Sequence, residues 1–204
     1  METHLAPTNS THFLDTLSQA IAAFHGTSDR PRPSASTVVE ALLQAEKAAK
    51  QQHLTYPLDA LAGKWRLYFT TTGRATRKAG VVQGRGWYVP RFAPAYISFL
   101  PNAAESDKGT ISNQIQLGAL QFKLNGPFKY PGKKNLLGFD FTQAELSLFG
   151  KTLYTSGFQS GKTKRANFDE LTVAKLPFFA FFLITNDFIA ARGRGGGLAI
   201  WVRE

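Results

Sequence analysis

Residues 1–60 place apolar side chains at helical spacing, which predicts two amphipathic helices. The apolar positions of the first helix are Phe13, Leu14, Leu17, Ile21 and Phe24. Ser10 or Thr11 precedes them as a candidate cap, and Gly26 ends the helix. A second helix is predicted to begin with a capping box formed by Thr37 and Glu40. Two short helices cannot form a core alone, so they are expected to pack on the segment that follows.

Beyond residue 60 the period of the apolar positions changes to two, which predicts β-strands with one buried face and one solvated face. The first of these runs contains Trp65, Leu67 and Phe69. Further runs are Ile111, Ile115 and Leu117; Leu120, Phe122 and Leu124; Leu137, Phe139 and Phe141; and Leu198, Ile200 and Val202. The change of period divides the chain into a helical segment and a β segment.

Turn-forming residues separate the apolar runs and predict a single domain over residues 1–204, mainly β in class. Breaks of this kind occur at Gly118, Gly126, Gly132, Gly150, Gly157 and Gly161. Many short strands are typical of a sandwich or a closed barrel, and no strand–helix alternation follows Gly63. We therefore expect an antiparallel β-barrel over residues 61–204, with the two N-terminal α-helices of residues 1–60 packed against it.

The chain has no cysteine and four histidines, which restricts the catalytic and metal sites it can build. The histidines His4, His12, His25 and His53 all precede the β segment. A Ser-His-Asp or Cys-His site inside the barrel is therefore excluded, as are thiolate and histidine metal sites there. We predict a protein that is not an enzyme and uses neither a cofactor nor a metal.

The formal net charge of +10 is unevenly distributed and favours an anionic partner. Four basic and six acidic residues precede Gly63, whereas twenty basic and eight acidic residues follow from there on. Such a partner is either a lipid surface or nucleic acid. Nucleic acid would use the basic clusters with the aromatic residues Trp87, Tyr88 and Tyr130. The clusters are Arg74, Arg77, Lys78 and Arg85, and Lys129, Lys133 and Lys134. No RNA-binding signature accompanies them, so we expect no nucleic-acid partner.

A phenylalanine-rich segment at residues 176–184 predicts contact with an anionic lipid membrane. The candidate membrane-contact residues are Phe178, Phe179, Phe181, Phe182, Lys175 and Arg194. Each phenylalanine would contribute about 1.5–3 kcal/mol if fully buried in lipid, and the two basic residues would meet headgroups. The alternative interpretation of the same segment is a buried strand.

The sequence also bears on where the protein resides. Residues 1–22 carry Glu2 and Asp15 but neither lysine nor arginine, and they lack an apolar stretch. We therefore expect neither a signal peptide nor a transit peptide. The apolar stretch at residues 176–191 is too short to cross a bilayer. The expected location is cytoplasmic, with peripheral association to a membrane.

Short motifs at the two ends of the β segment resemble those of one protein family. The step from Gly63 to Trp65 reads Gly-x-Trp, with which lipocalin-like barrels begin, and it lies within the longer matching sequence 61–71. Near the other end, a motif is matched at Asp187, Arg192 and Gly193 before a last apolar strand. With two helices in front, this layout resembles the plastid lipid-associated proteins, also called fibrillins.

The resemblance implies a lipocalin-like barrel at thylakoid membranes or lipid globules. It implies binding of carotenoids, prenylquinones or other isoprenoid lipids, often under light or oxidative stress, and the lack of a transit peptide favours a cyanobacterial member. The predicted function is thus non-enzymatic sequestration of a hydrophobic small molecule. The alternatives are a scaffold protein at a lipid surface without bound ligand and, less favoured, a barrel that binds single-stranded nucleic acid.

The residues predicted to bind the ligand share the apolar phase of the strands. They are Trp65, Leu67, Phe69, Phe122, Leu124, Phe139 and Phe141. Each of them could instead fill the core, because small barrels are often filled by their own side chains. Asp187 and Arg192 are expected to be structural, with the Arg192 guanidinium over the Trp65 ring at the closed end of the barrel.

Overall fold

The computed structural model describes residues 10–79, 81–132, 134–158 and 167–204. These residues form a mainly β structure with two helices, α1 (Ser10–His25) and α2 (Ala35–Gln51). The strands are β1 (Gly63–Lys78), β2 (Val81–Tyr88), β3 (Ala95–Asn102), β4 (Glu105–Leu117), β5 (Leu120–Lys129), β6 (Leu136–Phe139), β7 (Gln143–Leu148), β8 (Lys151–Gly157), β9 (Phe178–Ile184), β10 (Phe188–Gly193) and β11 (Leu198–Arg203). No helix within these ranges is both long enough and apolar enough to cross a membrane.

The two predicted helices are confirmed, but the start of α2 differs from the prediction. Gly26 follows α1 in the left-handed conformation, with φ of +72°, as a helix-ending glycine does. The N-cap of α2 is Ser34, whose hydroxyl accepts a hydrogen bond from the Thr37 amide at 3.2 Å. The predicted capping box therefore began one turn too late. The predicted cap of α1 by Ser10 or Thr11 depends on side chains that lie outside the described part of the chain, and His4 lies outside it too.

Eight strands are joined by antiparallel ladders in an unbroken circuit. In order, β1 pairs with β3, β3 with β4, β4 with β5, β5 with β6, β6 with β9, β9 with β10, β10 with β11, and β11 with β1. Two parts of the sheet lie outside this circuit. Strand β2 pairs with the second half of β1, and the β7–β8 hairpin pairs with the first half of β5.

The buried apolar residues form two clusters on opposite faces of the sheet. The aromatic core contains residues from each of the eight circuit strands: Trp65, Ile97, Phe99, Ile111, Phe128, Leu137, Phe139, Phe181, Ile189 and Trp201, among others. The helix-side core lies beneath α1 and α2. It includes Leu17, Val39, Leu42, Phe69, Ile200 and Val202.

A β-bulge in β1 sends neighbouring residues into different cores. The register against β11 shifts between Leu67 and Phe69. Trp65 and Leu67 pack in the aromatic core, whereas Tyr68 and Phe69 pack in the helix-side core. The prediction that Phe69 shares the face of Trp65 is therefore wrong, because the extra residue of a bulge reverses the alternation beyond it.

Candidate functional site

The residues predicted to bind a ligand occupy three separate environments. Trp65 and Phe139 are buried in the aromatic core, with Leu67 and Phe141 packed against it. Phe69 is buried in the helix-side core. Phe122 and Leu124 lie outside both cores, Phe122 exposed and Leu124 partly buried. The seven residues therefore do not line one pocket.

The aromatic core is occupied by its own side chains. The ring of Phe99 contacts those of Phe128 and Phe181 edge-on, with centroids 6.1 and 5.9 Å apart. Phe179 stacks on Phe139 at 5.0 Å and meets Trp201 edge-on at 5.4 Å. Contacts at these distances are those of well-packed aromatic pairs. The predicted wall residues Trp65 and Phe139 act here as core filler.

The phenylalanine-rich segment forms β9, and its predicted role as a membrane rim is wrong for its two most buried members. Phe181 is buried in the aromatic core and Phe182 in the helix-side core. Phe178 and Phe179 are partly buried. Adjacent residues of a strand point to opposite faces, which places Phe181 and Phe182 in different cores. The register against β10 shifts at this point, between Ala190 and Ala191, and Leu183 packs on the same side as Phe182.

The two basic residues predicted beside this segment are exposed. Arg194 has a structural contact, because its Nη1 donates to the carbonyls of Lys175 and Leu176 at 3.0 and 2.8 Å. These bonds fix the loop before β9 to the loop after β10. They also hold the guanidinium of Arg194 close to the backbone.

Arg192 does not lie over Trp65 but pairs with Glu46 of α2. Its Nε and Nη2 donate to the two carboxylate oxygens at 2.9 and 2.6 Å, and its Nη1 donates to the carbonyls of Ala75 and Gly196. Burial raises the pKa of Glu46, but hydrogen bonds from Arg192 and Lys50 outweigh it, so the pKa lies below its ordinary value. This ion pair fixes α2 to β10.

Arg203 takes the position that was predicted for Arg192. Its guanidinium lies 3.9 Å from the centre of the Trp65 ring, and its Nη1 donates to the Ala62 carbonyl at 3.0 Å. The indole nitrogen of Trp65 donates to the Leu61 carbonyl at 2.7 Å. Gly63 has a φ of +114°, and a Cβ there would lie 3.1 Å from Arg203 Nη1. The Gly-x-Trp step is thus fixed by an arginine from the last strand.

A cavity of about 260 Å³ lies between α2 and β9 and is bordered by polar groups. Its lining includes Glu46, Lys50 and Asn135. The Asn135 side chain accepts from the Tyr56 amide at 2.9 Å and donates to the Leu54 carbonyl at 2.6 Å. Glu46, Lys50 and Asn135 thus already have hydrogen-bond partners, and the rest of the lining includes the apolar residues Leu54, Phe181 and Phe182. The cavity is therefore of mixed polarity.

An exposed apolar surface lies where β5 pairs with β4 on one side and with the β7–β8 hairpin on the other. We call residues 113–125 and 143–157 the extension. In one row Ile115 pairs with Phe122, Phe122 with Leu146 and Leu146 with Tyr154. In the next row Leu117 pairs with Leu120, and Leu120 with Leu148. Because partners in register share a face, these residues form one apolar face.

This apolar face continues the inward face of the aromatic core. Ile111 on β4 and Phe128 on β5 are buried in that core, and the extension residues on the same strands follow them at even spacing. The opposite face of the extension is polar and carries Gln114, Gln116, Gln121, Lys123, Glu145 and Ser147. The extension is therefore an amphipathic sheet attached to the core.

The apolar face of the extension is exposed to solvent. Ile115, Leu117, Leu120, Phe122 and Tyr154 are 45%, 55%, 40%, 42% and 62% exposed. Adjacent apolar side chains with this exposure are typical of a binding surface rather than of an ordinary protein exterior. Phe122 and Leu124 were predicted to bind the ligand, but the residues of β7 and β8 were not. The alternation of Leu146 and Leu148 with Glu145 and Ser147 was the signal that could have found them.

The residues considered for nucleic-acid binding do not form a stacking platform. Tyr130 is buried, and the Tyr88 hydroxyl donates to the Pro33 carbonyl at 2.8 Å. Lys129 Nζ donates to backbone carbonyls of the segment that follows residue 167, including Phe168 at 2.8 Å. Lys133 lies outside the described residues. Of the three aromatic residues, Trp87 is the exposed one.

Comparison with known proteins adds no relative from which a function could be carried over. No protein-family model matches the sequence, and no curated protein matches it. The resemblance to the plastid lipid-associated proteins rests on the motif residues given above and stays a prediction. Two of the residues that bear on it, Gly63 and Arg192, have defined structural contacts in the fold.

Proposed function

We propose that this protein is non-enzymatic and binds a hydrophobic small molecule at or near a lipid surface. In this proposal the circuit of eight strands is a lipocalin-like barrel and the extension is the open side of its binding site. The observation that carries the proposal is the exposed apolar face of the extension, which continues the inward face of the aromatic core.

The chemistry of that face favours an elongated apolar ligand. Leu124, Phe122 and Leu120 follow one another along β5, and their partners on β4 and β7 are mostly apolar. The strand rise of about 3.3 Å per residue makes this surface roughly 13 Å long from position 120 to position 124. Burying apolar area there would release about 25 cal/mol per Å². Carotenoids, prenylquinones and other isoprenoid lipids have this shape, and they are the ligands that the family resemblance implies.

The first experiment is native purification from a photosynthetic host, followed by solvent extraction and mass spectrometry. An isoprenoid lipid near one per chain in the folded protein is the expected result. The Phe122→Gln variant is expected to lose most of it without loss of stability, since Phe122 is already 42% exposed. Lys123→Gln, on the polar face next to it, is the matched control. Equal lipid content in both variants would mean that the ligand-binding site lies outside the extension.

A second candidate function is a scaffold at a lipid surface with no bound ligand. The packing of Phe99, Phe128 and Phe181 in the aromatic core favours it, because these side chains fill the space a carrier would keep open. Protein that purifies empty but floats with liposomes would favour this candidate.

A further inference from the structure

The outer end of the extension consists of two hairpin turns that lie side by side. Gly118 and Ala119 join β4 to β5, because Leu117 pairs with Leu120. Phe149 and Gly150 join β7 to β8. The Phe149 amide donates to the Ala119 carbonyl at 3.0 Å, so the two turns are bonded to each other. Together they form one blunt end of the sheet.

Phe149 has an unfavourable backbone conformation and is almost fully exposed. Its φ is +48° and that of Gly150 is +74°, which is the arrangement of a two-residue hairpin turn with both central residues left-handed. Asparagine, aspartate or glycine normally occupies the first of these positions, since bulky residues are outliers there. Phe149 is 81% exposed, so packing within the fold does not account for a phenylalanine at this position. Strain of this kind points to a role outside the fold.

The surroundings of Phe149 are apolar and carry little charge. Leu117, Leu120 and Leu148 form the outermost row of the extension, directly behind the turns. Across residues 115–122 and 146–153 the only charged residue is Lys151, which is exposed and follows Gly150. An exposed apolar end with a cation beside it matches the depth profile of a bilayer, where apolar side chains enter the acyl region and lysine reaches the headgroups.

We propose that this end of the extension, with Phe149 as its anchor, inserts into the surface of a bilayer that contains anionic lipid. The net charge of +10 and Lys151 favour anionic over neutral headgroups. The inserted row is continuous with Phe122 and Ile115 on the same face. A hydrophobic molecule therefore passes from the bilayer to the ligand surface without crossing water. The inference rests on the proposed function, since it takes the bilayer as the source of the ligand.

Because the chain has no cysteine, one introduced thiol can be labelled at a chosen site. Phe149→Cys carries an environment-sensitive fluorophore at the proposed anchor. Leu100→Cys is the matched control, because Leu100 is 70% exposed and pairs with Thr110, distant along β4 from Leu117. With vesicles of phosphatidylglycerol and phosphatidylcholine, the fluorescence emission of the label at position 149 is expected to shift to shorter wavelength and to be quenched by nitroxide lipids. The label at 100 is expected to stay unchanged.

The Phe149→Asn variant separates membrane binding from folding. Asparagine suits the left-handed conformation, so the variant is expected to melt no lower than the wild type. Loss of the phenyl ring is expected to weaken partitioning into anionic vesicles about tenfold. Leu100→Asn is expected to leave partitioning unchanged.

The outcomes distinguish this inference from the proposed function. Protein that floats with vesicles while the label at 149 stays in water would overturn the inference and leave lipid binding elsewhere on the chain. Protein that carries extracted lipid but binds no vesicles would also overturn it, and the proposed function would stand. An emission shift of the label that occurs without vesicles, at high protein concentration, would instead indicate that this surface binds a second copy of the chain. Protein with neither bound lipid nor vesicle binding would refute both proposals.

Discussion

The ion pair between Arg192 and Glu46 offers the most direct test of how the helices are fixed to the sheet. The side chains of Arg192 and Glu46 are 20% and 11% exposed, so both charges are largely removed from water. We consider Arg192→Met, which keeps the length of the side chain and removes the charge and the donors. The variant leaves the Glu46 carboxylate buried without its main partner.

The size of the effect follows from the contacts that remain. Removing one partner of a buried ion pair costs about 3–5 kcal/mol. Lys50 still contacts Glu46 at 2.9 Å, and the side chains of Glu46 and Arg192 keep some exposure to solvent, so the expected loss lies at or below the lower limit of that range. We expect the free energy of unfolding to fall by about 2–3 kcal/mol, with a melting temperature lower by roughly 5–10 °C for a chain of this size.

A double-mutant cycle measured by urea unfolding tests the reasoning. Glu46→Leu is expected to destabilise the protein as well, because it leaves the Arg192 guanidinium buried. The double variant Glu46→Leu with Arg192→Met is expected to lose less than the sum of the two single losses, since no buried charge is left. Additive losses, or a loss below about 0.5 kcal/mol for Arg192→Met, would refute a coupled, stabilising pair.

Two further predictions concern backbone strain and pH. Gly63→Ala is expected to lower the melting temperature at a cost of about 1–3 kcal/mol, because φ is +114° and the new Cβ would lie 3.1 Å from Arg203 Nη1; an unchanged thermal melt would contradict it. The lowered pKa of Glu46 means that the unfolded chain binds this proton more readily, so its contribution to stability is present above about pH 4.5 and is lost as pH falls through the folded pKa. Urea unfolding at a series of pH values is expected to show that the free energy of unfolding falls less steeply in acid for Glu46→Gln than for the wild type. Parallel pH dependences of the two proteins would count against this assignment.

The periodicities of the sequence predicted the type of most elements correctly. The spacing of apolar residues along the chain identifies the face of an element that is buried. It did so for the helices around Leu17 and Leu42 and for the strand around Ile200. Alternation shows that a strand has an apolar face, but not what covers it. Phe122 and Phe128 share one phase of β5, yet Phe128 is buried and Phe122 is exposed.

The errors came from features that depend on distant contacts. The bulge after Leu67 depends on pairing with β11, so the change of side at Phe69 could not be predicted from local spacing. The choice of Arg203 rather than Arg192 to cover Trp65 depends on register, because Trp65 is directly paired with Arg203. The conformation of Phe149 was not foreseen, since phenylalanine is disfavoured in such a turn.

The pairing of β1 with β11 has a consequence for how the chain reaches its fold. Trp65 pairs with Arg203, and Glu46 is bonded to Arg192 across 146 residues, so both contacts need segments that are synthesised late. Contacts of such high sequence separation slow folding, because the entropy of closing a long loop is lost before the contact forms. Until residues 198–203 are in place, the helix-side core lacks Leu198, Ile200 and Val202, and β1 lacks one of its partner strands. The nascent chain therefore exposes aggregation-prone segments throughout most of its synthesis, and a chaperone that holds them is expected to raise the yield of native protein.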